Sequence, residues 1–233
     1  MVNTVKEIRM GTDRIGMLVR LFQLTSPSLP VGAYSYSQGL EWAVESDLVS
    51  DEESARRWLA ETIEQVMGRL DAPVLSRMYD CWLAEDANGL CEWNRFLLAS
   101  RETRELRNED IQLAKALRKV LEGLEIQCPG EEQGEPSFAL LFCLACVTWQ
   151  IPKKEMISGY LWAWLENQVL AALKLVPLGQ MAGQRILMEI GGQLPALIEE
   201  ALKVRDPAVG ASLPMLAIAS SRHETQYSRL FRS

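Results

Sequence analysis

Apolar residues recur at spacings of three and four along almost the whole chain, and no stretch alternates apolar and polar positions for long enough to indicate a strand. This pattern predicts an all-α fold. The chain has 233 residues, against about 150 for a typical domain, and is expected to form a single-domain bundle of about nine to ten helices over residues 1–233. Residues 1–12 and the C-terminal tail, residues 222–233, are predicted to be flexible when no partner is bound.

The first predicted helix begins after Asp13, a good N-cap residue, and ends near Thr25. Two prolines in residues 26–30 end this helix because proline lacks the backbone N–H that a helix requires. Residues 31–39 then form a loop that leads into a short helix at 40–46. The inward side of the first helix is predicted to carry four apolar residues, Ile15, Leu18, Val19 and Phe22.

Residues 50–53 begin with serine and end with glutamate, which is the spacing of a capping box and predicts a helix that runs to about Leu70. The segment 71–73, with its proline, is expected to restart the chain. A further helix to Ala87 is predicted to stop at the Asn88-Gly89 pair, since both residues tolerate left-handed backbone.

The charged stretch 101–123 is predicted to form one long helix, after a shorter helix at 90–100. In the long helix Arg101 and Glu105 have the i,i+4 spacing of an ion pair. Residues 128–136 combine two prolines, two glycines and three acidic residues. They are expected to form a surface loop within one domain, although a linker between two helical halves is the alternative.

Ser137 is predicted to cap an apolar helix that ends at Gln150, and another helix is predicted over residues 152–176. The second helix is apolar on more than one side, because Trp162 and Leu170 lie away from its main apolar face. Such a helix is either central in the bundle or part of an oligomer interface. Prolines and glycines are expected to divide the remaining chain into further helices at Pro177, Gly179, Gly191, Gly192, Pro195, Pro207 and Pro214.

Charge and hydropathy exclude several classes of protein. Acidic side chains outnumber basic ones by 31 to 24, a net charge of −7 that argues against a nucleic-acid partner. The longest apolar run, residues 138–149, is shorter than the roughly 20 residues needed to cross a bilayer, so no membrane partner is expected. Five cysteines, an odd number, fit a cytoplasmic protein better than a disulfide framework.

Catalytic and metal-binding motifs are scarce. His223 is the only histidine, which excludes most multi-histidine metal sites and most conventional nucleophile–histidine pairs. No phosphate-binding loop or dinucleotide motif occurs. Cys143 and Cys146 have C-x-x-C spacing but lie in an apolar helix without a basic neighbour, so buried core cysteines are favoured over a redox or metal role. Few enzyme mechanisms are compatible with this set of residues, and we expect no cofactor and no metal site.

Three charged features allow two interpretations each. The stretch 101–107 is either a solvated helix face or a docking surface. Lys174 precedes a proline helix stop, where it either stabilises the helix C-terminus or makes a functional contact. The tail carries three arginines and exposed Tyr227, Leu230 and Phe231. This composition is more typical of a segment that becomes ordered on a partner than of a disordered terminus without a binding role.

Four segments together resemble the family of the urease accessory protein UreF. They are LPVGAYSYSQGLE at 29–41, RETRELR at 101–107, KLVPLGQ at 174–180 and RHETQYSRLFRS at 222–233. Each motif is modest alone, but they occur in the family's order and extend over nearly the whole chain. Only residues 128–137 match no pattern of the family.

The resemblance implies an all-helical, dimeric, cytoplasmic protein without enzyme activity that assists urease maturation. Members bind UreD, also called UreH, and the GTPase UreG, and this complex docks on apo-urease and supports nickel insertion into its metallocentre. Members are thought to modulate GTP hydrolysis by UreG, and nickel is handled by the partner proteins. The dimer contact is predicted to include part of helix 152–176, although core burial of that surface is equally compatible with the sequence.

Residue by residue, the resemblance assigns Tyr34, Arg229 and Lys174 to UreG binding. The tail residues Tyr227, Leu230, Phe231 and Arg232 are assigned to UreD/UreH. The other interface candidates are Glu41, Arg101, Glu102, Arg104 and Glu105.

Two rival functions stay open. A GTPase-activating protein would act catalytically in trans on UreG by inserting an arginine, with Arg229 and Arg104 as candidates. A thiol-based metal carrier would use Cys143 and Cys146.

Overall fold

The core is built around a strongly apolar helix, Phe138–Thr148, and a long helix, Lys153–Leu175. The computed structural model describes residues 14–130 and 134–233, and within these ranges it is a compact helical domain without strands, which confirms the all-α expectation. The predicted cap Asp13 lies outside the described residues. The α-helices are α1 (Arg14–Thr25), α2 (Leu40–Glu45), α3 (Glu52–Thr62), α4 (Ala72–Leu83), α5 (Ala87–Ala99), α6 (Arg104–Gly123), α7 (Phe138–Thr148), α8 (Lys153–Leu175), α9 (Gln180–Lys203) and α10 (Pro214–His223).

Helix α1 turns a different face inward from the one predicted. Met17, Leu21 and Leu24 are buried, whereas Val19 and Phe22 are 57% and 64% exposed. Ile15 is also exposed and Leu18 is half-buried, so the predicted inward side was wrong. The reason lies in α8, where Gly159 has no side chain and the Leu21 side chain fills the space that a Cβ would take. Apolar residues occupy both sides of α1, and the packing partner decides which side is buried.

Helices α3 and α4 are joined by a π-helical segment, Ile63–Asp71, without a break in helical backbone. The predicted restart at residues 71–73 was therefore wrong: the wider π turn accommodates Pro73, which has no N–H to donate.

The capping box at the start of α3 lies one residue later than predicted. Asp51 accepts a hydrogen bond from the Ser54 N–H, and the Ser54 hydroxyl accepts one from the Asp51 N–H.

Helix α4 ends at Leu83, earlier than Ala87, because Glu85 adopts the left-handed backbone that was predicted for Asn88-Gly89. The Asn88-Gly89 pair instead lies in the first turn of α5, where the Asp86 carboxylate accepts a hydrogen bond from the Gly89 N–H.

Helix α6 begins three residues later than predicted. The Thr103 hydroxyl caps it by accepting a hydrogen bond from the Leu106 N–H. Arg101 consequently lies before the helix and does not form the predicted ion pair with Glu105. This displacement frees the Arg101 side chain to point into the interior.

Helices α7 and α8 form the centre of the bundle, and α9 packs along α8. Ser137 caps α7 as predicted, and α7 is buried from Ala139 to Cys146. Helix α9 is a single helix through Gly191, Gly192 and Pro195, so the predicted divisions there were wrong. In the described part of the chain no helix is long and apolar enough to span a membrane.

Candidate partner-binding site around the C-terminal segment

The four motif segments, which are far apart in the chain, meet at residues 224–233, here called the C-terminal segment. The Arg232 N–H donates to the Ser35 carbonyl at 2.8 Å, and the Gln38 N–H donates to the Ser233 carbonyl at 3.0 Å. The Ser37 hydroxyl and N–H both donate to the same Ser233 oxygen. The last residues of the chain therefore lie against the loop that carries the 29–41 motif.

Lys174 joins the same region through an aromatic ring. Its ammonium lies 5.5 Å from the centre of the Phe231 ring, within the range of a cation–π contact. Lys174 itself is exposed, in the last turn of α8, and Phe231 is 5% exposed. The expectation that Phe231 is exposed was wrong, since the body of the protein covers its ring.

Glu41 anchors the backbone of the C-terminal segment. Its carboxylate accepts hydrogen bonds from the Leu230 N–H at 2.6 Å and from the Phe231 N–H at 2.9 Å. Gly39 makes this arrangement possible, because a Cβ there would lie 2.8 Å from the Ser220 backbone nitrogen of α10. The φ of Gly39 is +81°, a left-handed backbone conformation that glycine adopts readily.

His223 lies between two carboxylates at the end of α10. The His223 Nδ1 atom is 3.1 and 3.2 Å from the two carboxylate oxygens of Glu105, and Nε2 is 3.0 Å from Glu41. Burial by itself lowers the pKa of His223, but the hydrogen bonds to Glu105 and Glu41 outweigh it and raise the pKa above its ordinary value. Arg229 adds a second cation, 3.3 Å from Glu105.

Glu109 lies one turn beyond Glu105 on α6 and is also buried. Its carboxylate accepts hydrogen bonds from the Ser233 hydroxyl and from the Gln38 side-chain amide, at 2.6 and 2.7 Å. Burial raises the pKa of Glu109 to about 7, although these two hydrogen bonds oppose the rise. The sequence analysis did not select Glu109. Its i,i+4 spacing from Glu105 could have indicated that both carboxylates lie on the same face of α6.

Arg101 forms a buried ion cluster beneath this region. Its guanidinium donates to both oxygens of Asp71 at 2.6 and 3.0 Å and to Asp110 at 2.9 Å. Burial alone lowers the pKa of Arg101, but the two carboxylates raise it well above its usual range. The cluster borders a cavity of about 130 Å³, and Asp110 also accepts the Phe138 N–H at the start of α7.

The predicted partner-binding residues divide into exposed and buried groups. Tyr34, Tyr227 and Leu230 are 58%, 105% and 67% exposed, and Arg232 is exposed as well. The Arg229 side chain is 39% exposed.

The five further interface candidates also divide. Arg104, whose side chain is 80% exposed, lies 3.3 Å from Glu224, and exposed Glu102 accepts a hydrogen bond from Ser212. The remaining candidates, Glu41, Arg101 and Glu105, are bonded within the chain as described above. Only part of the predicted surface is therefore free for a partner.

The two cysteines with C-x-x-C spacing are core residues. Cys143 and Cys146 are both fully buried in α7, and burial raises the pKa of each thiol. A thiol that stays protonated is a poor metal ligand. Among the described residues, no group of three or more His, Cys, Asp or Glu side chains is arranged to hold a metal ion.

Comparison with known proteins identifies the family. The UreF family model matches residues 49–191. The urease accessory protein UreF of Azoarcus sp. (strain BH72) is 48% identical over 93% of this chain and 95% of its own length. The UreF proteins of Methylobacillus flagellatus and Pseudomonas putida (strain W619) are 46% and 48% identical, each over 93% of this chain and 97% of their own length. The chain, with its four motifs gathered at one site, belongs to the family of the urease accessory protein UreF.

Proposed function

We propose that this chain is a non-enzymatic adaptor in urease maturation that bridges UreD/UreH and the GTPase UreG on apo-urease. In this role it modulates GTP hydrolysis by UreG during nickel insertion, and the partner proteins handle the nickel. It works in the cytoplasm, without a cofactor of its own. Membership of the UreF family supports a role in urease maturation, and the site supports the adaptor mechanism.

One observation carries the proposal. The C-terminal segment is fixed to the body by its backbone and by Phe231, so that Tyr227 and Leu230 point outward although both are large and apolar. Exposed aromatic side chains and arginines are enriched among the residues that anchor interfaces. We assign this outer face to UreD/UreH, through Tyr227, Leu230 and Arg232.

A second group of side chains surrounds the same segment. Tyr34 is exposed one residue before the Ser35 carbonyl that holds Arg232, and Lys174 contacts Phe231. The Arg229 guanidinium lies 3.3 Å from Glu105, which also contacts His223 at the base of the segment. We assign Tyr34, Arg229 and Lys174 to UreG, so that one segment positions both binding surfaces.

Co-elution with UreD/UreH and UreG tests the adaptor function. We expect the Tyr227→Ala, Leu230→Ala double variant to bind UreD/UreH at least tenfold more weakly, because it removes exposed anchors and leaves the Glu41 contacts intact. We expect Tyr34→Ala to lose UreG but keep UreD/UreH. Both can be measured by size-exclusion chromatography and by titration of the separate partners.

Met215→Ala is the matched control, since Met215 is 44% exposed on α10 outside this site. It should bind both partners as the unchanged chain does. If the double variant still forms the full complex, the adaptor mechanism as assigned here is wrong.

An arginine-inserting activator of UreG is the second candidate, because the Arg104 side chain is 80% exposed. It predicts that the chain speeds single-turnover GTP hydrolysis by UreG and that Arg104→Ala or Arg229→Ala abolishes this effect while binding persists. In the adaptor mechanism, any change in hydrolysis disappears only when binding does.

The dimer contact is proposed to lie on the face shared by α8 and α9. Trp162 and Leu170 are each 37% exposed on α8, and Met188 of α9 is 76% exposed. The Trp162 ring packs over Gly191, which joins the two helices into one apolar face. A second copy of the chain is the proposed occupant, since an isologous interface places the same face on both subunits.

Light scattering at several protein concentrations tests this contact. We expect Met188→Glu to raise the dimer dissociation constant at least tenfold, because it places a charge in an apolar interface. Phe22→Glu is the control, as Phe22 is similarly exposed on α1. Dissociation by the control alone would place the dimer contact on α1 instead.

A further inference from the structure

The geometry around His223 requires a particular protonation state of the ring. Both ring nitrogens lie within hydrogen-bond distance of carboxylates, Nδ1 beside Glu105 and Nε2 beside Glu41. An ionised carboxylate can only accept hydrogen bonds, and a neutral imidazole has only one N–H to donate. With both carboxylates ionised, the two contacts are satisfied together only when the ring is a doubly protonated imidazolium.

The same two carboxylates hold the C-terminal segment. Glu41 accepts the backbone N–H groups of Leu230 and Phe231, and Glu105 accepts the Arg229 guanidinium. His223 itself is fully buried, so its proton lies beneath the segment rather than at the surface. The position of the segment and the charge of the ring thus depend on one shared set of acceptors.

We propose that His223 is a proton-operated latch: uptake of one proton by its imidazole docks residues 224–233 onto α2 and α6, and loss of that proton releases them. This inference concerns the chain alone and goes beyond the adaptor function, because it does not depend on any partner.

Charge balance in the buried cluster explains why loss of the His223 proton releases the segment. With the ring protonated, His223 and Arg229 offset Glu41 and Glu105. Loss of the proton leaves one carboxylate charge buried without compensation and facing a ring lone pair, which is strongly unfavourable. Hydration of the carboxylates after release of the segment relieves this cost.

The other charged groups on the surrounding elements reinforce the effect or lie outside the cluster. Glu109 of α6 adds a further negative charge once it ionises, near its pKa of about 7. Lys174 of α8 faces the Phe231 ring rather than the imidazole. At the rim, exposed Arg104 and Glu224 pair with each other. Arg107 of α6, Arg222 of α10 and Arg232 of the segment are also exposed. In the interior, Asp110 raises the pKa of Glu109 and Arg101 lowers it.

Both titrating groups give the same sign of pH dependence. In the docked state the pKa values of His223 and Glu109 are raised above their ordinary values. Release of the segment hydrates the buried carboxylates and is expected to return both pKa values toward the ordinary ones, so the docked state binds protons more tightly. Docking is therefore complete below the ordinary histidine pKa of about 6.5 and weakens as the pH rises through the raised value. For Glu109 the loss begins above the ordinary glutamate pKa and is complete above about 7.

NMR titration of the imidazole tests the latch directly, because His223 is the only histidine and its ring signals need no assignment. The full chain, carrying no histidine tag, is titrated from about pH 5.5 to 9.5, and the same is done after deletion of residues 224–233. We expect a midpoint above about 6.5 in the full chain and a midpoint at least one unit lower in the deleted chain. By linkage, one unit equals a tenfold change in the docking equilibrium per proton bound.

Hydrogen exchange of the Leu230 and Phe231 amides provides the second readout. After correction for the intrinsic rate, their protection should fall at least tenfold as the pH passes the midpoint. In His223→Gln this pH dependence should shrink to the part that Glu109 contributes. Equal midpoints in the full and deleted chains, or unchanged pH dependence in His223→Gln, would overturn the proposal. The comparison of midpoints needs no substituted histidine and therefore decides the question even if His223→Gln does not fold.

Discussion

Replacing Arg101 with methionine is expected to lower the free energy of unfolding by about 3–5 kcal/mol, the range for removal of one partner from a buried ion pair. Methionine keeps most of the side-chain volume but leaves Asp71 and Asp110 buried together without a cation. The Asp71 side chain has no exposed surface, and that of Asp110 is 5% exposed. Neither carboxylate can regain its hydration without opening the bundle.

The effect should extend along three elements. Asp71 ends the π-helical segment, and Asp110 of α6 also accepts the Phe138 N–H of α7. Arg101 therefore links the end of the π-helical segment to α6 and, through Asp110, to the start of α7. Urea unfolding followed by circular dichroism measures the loss.

Arg104→Met is the matched control, three residues away in the same motif. The Arg104 side chain is 80% exposed, so its replacement should change the free energy of unfolding by no more than about 0.5 kcal/mol. A loss in Arg101→Met as small as that in the control would show that the Arg101 cluster does not stabilise the fold. The pair also separates the two interpretations of the 101–107 stretch, since a docking role can be tested in Arg104→Met without loss of the fold.

The sequence predicted helices better than it predicted their inward faces. Helix periodicity is a local property, and the capped starts of α6 and α7 follow from hydroxyl residues near the predicted positions. Helix α1 shows the limit: apolar residues lie on both of its sides, and only the space above Gly159 of α8 selects the side with Leu21. That contact joins residues more than a hundred positions apart and leaves no periodic signal in either helix.

In the candidate site, too, features that are local in the sequence could be predicted and contacts between distant residues could not. The motifs containing Tyr34, Lys174 and Arg229 could be selected from the sequence through their resemblance to one family. Lys174 and the tail also carry charged or aromatic residues that are unusual in their contexts. Their convergence could not, since it depends on buried hydrogen bonds such as that of Glu41 with Phe231, 190 residues apart. The expectation of an exposed Phe231 was wrong because no local pattern records the acceptors that lie on α2 and α6.

The second large effect is expected for Gly39→Ala, which should lower the free energy of unfolding by about 2–5 kcal/mol. Two costs add in this substitution. Left-handed backbone costs a residue with a side chain roughly 1–2 kcal/mol, and overpacking of a tight contact costs about 1–3 kcal/mol. Gly39 meets both conditions, with a φ of +81° and a virtual Cβ 2.8 Å from the Ser220 nitrogen.

The contact cannot relax by a change of rotamer, because the atoms that approach Gly39 belong to the backbone of α10. Ser220 is fully buried, and its hydroxyl pairs at 2.7 Å with that of Thr103, the cap of α6. Movement of α10 would therefore disturb the α6 cap and shift His223 relative to Glu41. We expect the variant to lose protection of the C-terminal amides as well as stability.

Gly192→Ala supplies the control. Gly192 is exposed within α9, and an added Cβ there meets nothing within 4 Å. Alanine should instead stabilise the chain by about 0.5–1 kcal/mol, because it restricts the unfolded chain and favours helix. Thermal and urea unfolding of both variants would give changes of opposite sign. A Gly39→Ala chain as stable as the unchanged protein would mean that α10 does not need this close approach, and the backbone contacts that position His223 would then tolerate far more movement than a latch allows.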